Sequence, residues 1–281
     1  MKSITKKAYG KVNLFLSVGK KRPDGRHEVE NVMCRVGMYD TVTVTATDIP
    51  EIRINCGEAQ LPLNDDNIAY LAAKLYLEKA GIVGGADIKI EKRIPIKGGM
   101  AGGSTDAAAV LEALNEIHGA LDFNTLCDIA ASLGADVPFF LYGDRVMLGR
   151  GTGTTLTEIG KVDFDMYGVF VRHGEKLSTG AAYGMLDTLR GENAALKLCD
   201  EIEEAIAQKD LFALAGAIEN DFELVYPRFA SIKKALVNAG CITAFLCGSG
   251  PTVCGLLQNE EQAKAVSRKL PYDNFICKIG V

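Results

Sequence analysis

The chain of 281 residues has no tryptophan and only three histidines. None of its eight cysteines forms a C-x-x-C pair, so the usual Cys/His spacings of a zinc site are missing and zinc is not expected. Most of the cysteines (34, 56, 127, 199, 241, 247, 254 and 277) sit inside apolar runs such as Phe245-Leu246-Cys247. A disulfide framework belongs to short secreted chains, so small buried thiols in a reducing compartment are expected here. No stretch reaches the ~18 apolar residues of a membrane span. Lys2, Lys6 and Lys7 are not followed by the apolar core of a secretion signal, and the expected location is the cytoplasm. There is no basic excess either: the net charge is −5 and the pI about 5.4, against a nucleic-acid partner. One short basic run, Lys20-Lys21-Arg22, suits a single anion contact or a solvated turn before Pro23-Asp24-Gly25. With 48% apolar and 24% charged residues the chain is not disordered, and its length allows one large or two modest domains.

What is present is a mixed series of strand and helix patterns. Val12, Leu14, Leu16 and Val18 alternate with Lys11, Asn13, Phe15 and Ser17, which predicts a strand. Strands are also predicted at 41–45, 52–54 and 88–90. Asp66-Asn67 precedes a helix that ends near Gly81. A Gly-rich segment follows, then helical spacing from Ala107 to Ile117, closed by Gly119. A further helix spans 125–133 and stops at Gly134. The glycine-dense turn 149–153 is the expected domain boundary. Beyond it, a strand at 169–171, helices at 194–208, 211–219 and 228–239, strands at 242–247 and 253–257, a helix at 261–269 and a strand at 275–279 complete an α+β order.

The segment Lys97-Gly98-Gly99-Met100-Ala101-Gly102-Gly103-Ser104-Thr105 is the strongest chemical signal. Four glycines within 98–103 let the backbone take positive φ and approach a ligand. A helix starting at Ser104 or Thr105 would present unpaired N–H groups and the positive end of its dipole, which together suit phosphate. Ser104 stands where a P-loop requires Lys, and G-x-G-x-x-G does not fit. The plain alternative is a linker that caps a helix. Lys11 and Asn13 share one strand face; Asn is depleted in strands, so either this face carries a function or it is the solvated face of an edge strand. Asp136, between a helix stop and an apolar run, suits a base for a hydroxyl or a turn carboxylate. His27 follows a turn and is either a ligand contact or, as a lone histidine more often is, a structural residue. Gly248-Ser249-Gly250 is a second tight Gly-rich turn, equally explained as a hairpin.

Taken in order, Ala8-Tyr9-Gly10-Lys11-Val12-Asn13, Arg22-Pro23-Asp24-Gly25-Arg26-His27, Pro95 to Ala108, Leu133-Gly134-Ala135-Asp136-Val137-Pro138 and Gly248-Ser249-Gly250 resemble the GHMP kinase superfamily. The resemblance covers nearly the whole chain. The Asp-Gly-x-His element and the Gly-Gly-Ser-Thr-Asp-Ala-Ala ending set it apart from mevalonate and homoserine kinases and point to a branch acting on a cytidine-diphosphate-linked methylerythritol. The resemblance implies a two-domain α+β GHMP kinase fold, with domains at 1–153 and 154–281, the second ferredoxin-like, and an active site between them.

It implies ATP and Mg²⁺ as cofactors, with the metal ligands unassigned, a small-molecule acceptor, and a monomer or weak homodimer. It places ATP on Pro95 and Lys97 to Thr105, with Asn67 bordering the adenine pocket. The catalytic positions fall on Asp136 and Lys11. Asn13, His27, Thr179, Tyr183, Gly248 and Ser249 fall on substrate positions, His27 on the cytosine edge and Tyr183 stacking on the base. Arg26 replaces a common Tyr and would stack on the base or meet the diphosphate. Ala101 stands where Gly is usual and tolerates positive φ less well. In the implied mechanism Asp136 accepts the hydroxyl proton and Lys11 neutralises charge on the moving phosphoryl group. The alternatives are another small-molecule kinase of the superfamily, or a nucleotide-binding protein without turnover.

Overall fold

The computed structural model describes residues 2–57, 61–175 and 177–281. The chain divides into two units that are each discontinuous in sequence. Unit 1 comprises Met1–Gly10, Met38–Ile96 and Ala101–Gly143; unit 2 comprises Lys11–Gly37, Lys97–Met100 and Asp144–Val281. Two long strands cause the interleaving. β1 (Ser3–Lys21) and β2 (His27–Thr47) each contribute one stretch to either unit. A single cut at 153 therefore does not describe the division. The glycine-dense turn expected there lies inside unit 2 as the tip of a hairpin, where Gly151 and Gly153 take φ of 65° and 90°.

In unit 1, β3 (Ile52–Asn55) runs parallel to β4 (Gly85–Glu91), which pairs antiparallel with β2 from Thr41↔Glu91 to Thr47↔Gly85. Ala86, Ile88 and Ile90 point into the core, as the period of two requires. On the outer face Ser3 and Thr5 hydroxyls pair with those of Thr45 and Thr43. α1 (Ile68–Ala80) packs on β3 and β4, and α2 (Gly102–His118) and α3 (Phe123–Leu133) pack against α1. α1 is fixed at both ends: the Asn67 Oδ1 accepts from Ala69 N–H, and Gly81 closes it in the left-handed region at φ 64°. α2 starts at Gly102, earlier than the Ser104 or Thr105 expected from sequence, so two glycines of the Gly-rich segment are helical.

In unit 2, β5 (Val146–Arg150) and β6 (Thr155–Gly160) form the hairpin, with β5 paired to β2. β7 (Tyr167–Arg172), β9 (Thr243–Leu246), β10 (Thr252–Leu257) and β11 (Asn274–Lys278) form a second, antiparallel sheet in the order β11-β7-β10-β9. The short β8 (Glu219–Asn220) runs parallel to β1. The helices are α4 (Thr179–Arg190), α5 (Asp200–Gln208), α6 (Leu211–Ala217), α7 (Ala230–Ala239) and α8 (Glu260–Ser267). The four strands with helices before β9 and after β10 make a split β-α-β arrangement. α7 lies so close to β10 that a Cβ on Gly255 would be 2.9 Å from Leu236 Cδ2. α4 was not foreseen, and 194–199, expected to be helical, is not. The face of β1 carrying Lys11, Asn13 and Ser17 is buried, which removes the solvated-edge alternative.

Candidate active site

Alternation along β1 puts Lys11 and Asn13 side by side in the interior of unit 2, 3% and 1% exposed. Lys11 Nζ donates to Asn13 Oδ1 at 2.9 Å, and Asn13 Nδ2 donates to Asn31 Oδ1 on β2 at 2.5 Å. Buried polar side chains of this kind persist only when hydrogen-bonded, and the chain Lys11–Asn13–Asn31 meets that condition. Nothing in the sequence marks Asn31, because the strand 27–40 carries no clean alternation.

The first half of the Gly-rich segment packs on the same place. Lys11 N–H donates to Met100 O at 3.1 Å. Gly99, at φ 83°, passes so near the turn 248–251 that a Cβ there would lie 2.4 Å from Cys247 O and 2.7 Å from Gly250 O. Gly248, at φ 54°, would place a Cβ 3.4 Å from Asn13 Oδ1. The two Gly-rich turns and the Lys11–Asn13 pair thus form one cluster inside unit 2. The buried Asn220, also missed from sequence, holds it: Nδ2 donates to both Leu246 O and Gly248 O at 2.8 Å. Tyr226 O–H donates to Ser249 O. Burial pushes the Cys247 thiol up, opposed by the Lys11 charge, so it stays a protonated packing group.

A second cluster in unit 2 contains His27. Its Nε2 lies 2.7 Å from Asp187 Oδ1, and its ring stacks on Tyr183 with centroids 5.0 Å apart and planes 18° apart. Tyr183 and Asp187 are one turn apart on α4, which begins at Thr179 with Ser178 as its cap. Arg26 is 67% exposed in its side chain and turns its guanidinium onto Asp24. The basic run resolves as neither an anion contact nor a bare solvated turn: Lys21 pairs with Asp187 and Glu192, and Arg22 with Glu28.

Unit 1 carries the remaining candidates. α2 begins at an N-cap, Ala101, that is held at φ 58° and gives no side-chain hydrogen bond. The first intrahelical bond is Thr105 N–H to Ala101 O, so among the described residues the N–H groups of Gly102, Gly103 and Ser104 have no cap. Ser104 is half-buried and Thr105 buried. Beneath this end lies a charged cluster that sequence did not reveal. Lys92 Nζ bonds Asp40 Oδ2 at 2.5 Å and Asp106 Oδ2 at 2.6 Å, and Asp40 Oδ1 accepts from Arg93 N–H and Ile94 N–H. Burial pushes Asp106 up to about 7, with Lys92 opposing and Asp40 adding to it. Burial also works to lower Lys92, but the two carboxylates outweigh it and the net shift is upward.

Asn67 has structural employment, since its Oδ1 caps α1 and its Nδ2 donates to Pro62 O at 3.0 Å. Pro95 is half-buried and Lys97 exposed, the latter at φ 57°. Asp136 sits half-buried in the turn between α3 and a buried 3₁₀ turn, Pro138–Tyr142.

Residues 67–144 match the GHMP kinases N terminal domain, and residues 195–276 match GHMP kinases C terminal. The 4-diphosphocytidyl-2-C-methyl-D-erythritol kinase of Geobacter metallireducens is 39% identical over 275 residues, covering 96% of this chain and 95% of its own. That of Alkaliphilus metalliredigens is 38% identical, covering 96% and 93%. A crystal structure of 4-(cytidine 5'-diphospho)-2C-methyl-D-erythritol kinase matches with a TM-score of 0.82 at 30% identity, over 99% of this chain and 100% of that one. A homoserine kinase from Cytophaga hutchinsonii matches at TM-score 0.75 with 18% identity, covering 100% and 95%, a likeness of fold alone. The chain belongs to the GHMP kinase family, whose members are ATP-dependent kinases of small molecules. No helix among the described residues is long and apolar enough to cross a membrane.

Proposed function

We propose that this kinase transfers the γ-phosphoryl group of ATP to the 2-hydroxyl of 4-diphosphocytidyl-2-C-methyl-D-erythritol, giving the 2-phosphate and ADP, a step of non-mevalonate isoprenoid precursor synthesis. The observation that carries this reading is the near-complete coverage, at 38–39% identity, by the two curated relatives of that name.

The residues present fit a nucleotide triphosphate. α2 opens on three uncapped N–H groups, and Gly103 is exposed, with only Ile68 Cδ1 at 3.7 Å and Cγ1 at 4.0 Å facing a Cβ built there. A helical glycine costs about 1 kcal/mol relative to alanine, and packing does not require it at this position. It leaves room for a phosphate to approach the backbone. Bound Mg²⁺ supplies charge neutralisation for the phosphates and usually enters with them, held by few protein carboxylates.

The chain's own groups then have distinct tasks. The uncapped N–H groups and the Ser104 and Thr105 hydroxyls hold phosphate oxygens. Asp136 accepts the proton of the acceptor hydroxyl. Lys11, oriented by Asn13 and Asn31, supplies fixed positive charge where the phosphoryl group moves. His27 and Tyr183 receive the cytosine, while Thr179 and the Gly248-Ser249 turn border the phosphate path.

ADP release from ATP with the cytidine-diphosphate substrate, measured beside mevalonate and homoserine, tests the reading; turnover of either alternative in its place overturns it. The Asp136→Ala variant is expected to lose about 10²–10⁴-fold in kcat with ATP binding retained. Near-normal turnover in that variant removes Asp136 from its role.

A further inference from the structure

The unassigned group with the most specific geometry is Asp187. It receives His27 Nε2 on Oδ1 at 2.7 Å, while Lys21 Nζ stands 3.4 Å from its Oδ2 and 2.8 Å from Glu192 Oε1. The element that carries it is pinned. Arg190, at the end of α4, bonds the buried Asp221 carboxylate, which also accepts from Ser17 Oγ and Val18 N–H of β1. Gly191 N–H donates to Asp187 O, and Lys21 N–H donates to Glu192 O at 2.7 Å. Tyr183 holds the flat face of the imidazole and rests edge-on against Phe222 at 4.9 Å. The ring is therefore fixed in its plane by a stack and about its axis by a carboxylate.

A carboxylate only accepts, so the nitrogen facing it carries the hydrogen. In the neutral ring this leaves Nδ1 as a hydrogen-bond acceptor. Among the described residues the contact with Asp187 is the one hydrogen bond of the His27 side chain, and Nδ1 is not among the sealed, unpartnered atoms. An acceptor nitrogen reachable by solvent, beside a tyrosine ring, suits a planar heterocycle with an N–H donor on its edge.

We propose that Asp187 is a positioning residue that locks His27 in the Nε2–H tautomer, so that the site selects a pyrimidine bearing an amino group over one bearing a keto group. This rests on the reading that His27 receives the cytosine. Cytosine offers an amino donor at the position where uracil offers a carbonyl oxygen. Against a fixed acceptor the carbonyl leaves two lone pairs opposed, a mismatch of the kind that rejects a ligand by about ten- to hundredfold or more. Without Asp187 the ring can take the other tautomer, and Nδ1–H can then serve the carbonyl.

The test compares kcat/KM for the cytidine-diphosphate substrate and its uridine-diphosphate counterpart in the wild type, Asp187→Ala and Asp187→Asn. Asp187→Ala is expected to lose about tenfold of the preference, through a higher KM for the cytidine compound and a lower one for the uridine compound. Asp187→Asn, whose amide oxygen still accepts from Nε2–H, is expected to keep most of it. With three histidines in the chain, ¹⁵N shifts report the tautomer directly: Nε2–H in the wild type, a mixture in Asp187→Ala. Equal loss on both substrates with the Nε2–H tautomer retained overturns the proposal while leaving the function intact. Absence of turnover with the cytidine compound in the wild type overturns the functional reading itself, and the proposal with it.

Discussion

At Gly99 an added Cβ would stand 2.4 Å from one backbone oxygen and 2.7 Å from another; at Gly103, four residues on, its nearest neighbour would be Ile68 Cδ1 at 3.7 Å. Both glycines belong to one Gly-rich segment, yet the first is demanded by the packing of unit 2 and the second by nothing in unit 1. Composition cannot separate these cases, since both read as a glycine in a phosphate-type loop. The contrast assigns different work to the two halves. Residues 97–100 fasten the segment to the turn 248–251, whereas 101–105 keep the start of α2 bare.

The comparison breaks first at Gly99. Gly99→Ala must relieve a clash with backbone and adopt positive φ, so a loss of about 3–5 kcal/mol is expected in urea unfolding; a variant with the wild-type midpoint would show that the loop is not fastened there. Asp106, on which α2 is mounted, gives the next effect. Its folded pKa is raised above that of an unfolded aspartate, so the folded chain binds the extra proton and stability falls as pH rises from about 4 through 7. Asp106→Asn removes this slope, worth at most about 1.4 kcal/mol per pH unit, and its stability relative to the wild type should rise between pH 5 and pH 8. Parallel pH profiles would contradict the burial of that charge.

Gly103→Ala should stabilise α2 by about 1 kcal/mol while raising the KM for ATP on the order of tenfold. A gain in stability with an unchanged KM would deny Gly103 the proposed role beside the phosphates. The smallest effect belongs to Ala101, whose φ of 58° strains an L-residue. Relief of about 1–2 kcal/mol in Ala101→Gly is partly offset by the freer unfolded chain, leaving about 0.5–1 kcal/mol. A lower melting temperature in that variant would mean that the alanine methyl packs usefully.

Elements with local signals were legible. Asn67 and Gly81 bracket α1 as expected, and Gly119 closes α2. The strand 27–40 was hidden because both of its faces are largely buried there and no alternation marks it. α4 was hidden because its run is short and rich in glycine and polar residues. α2 starts two or three residues before the expected Ser104 or Thr105 because glycine reads as loop in the sequence. Among the site candidates, Lys11, Asn13, Gly99 and Gly248 come together as one cluster, and His27 with Tyr183 as another. Asn67 caps α1, and Arg26 turns its guanidinium onto Asp24.

Sequence by itself determined the class of chemistry, since residue types in fixed order carry the GHMP kinase pattern and local capping rules place most helices. Only tertiary structure decided that Asn31, Asp187, Asn220 and the Asp40–Lys92–Asp106 cluster matter. Each of them acts through a partner at least 14 residues away, and hydrogen bonds over that separation leave no periodic trace in the chain. The same reason separates Gly99 from Gly103: a glycine's necessity depends on which atoms approach it, and the fold alone brings those atoms there.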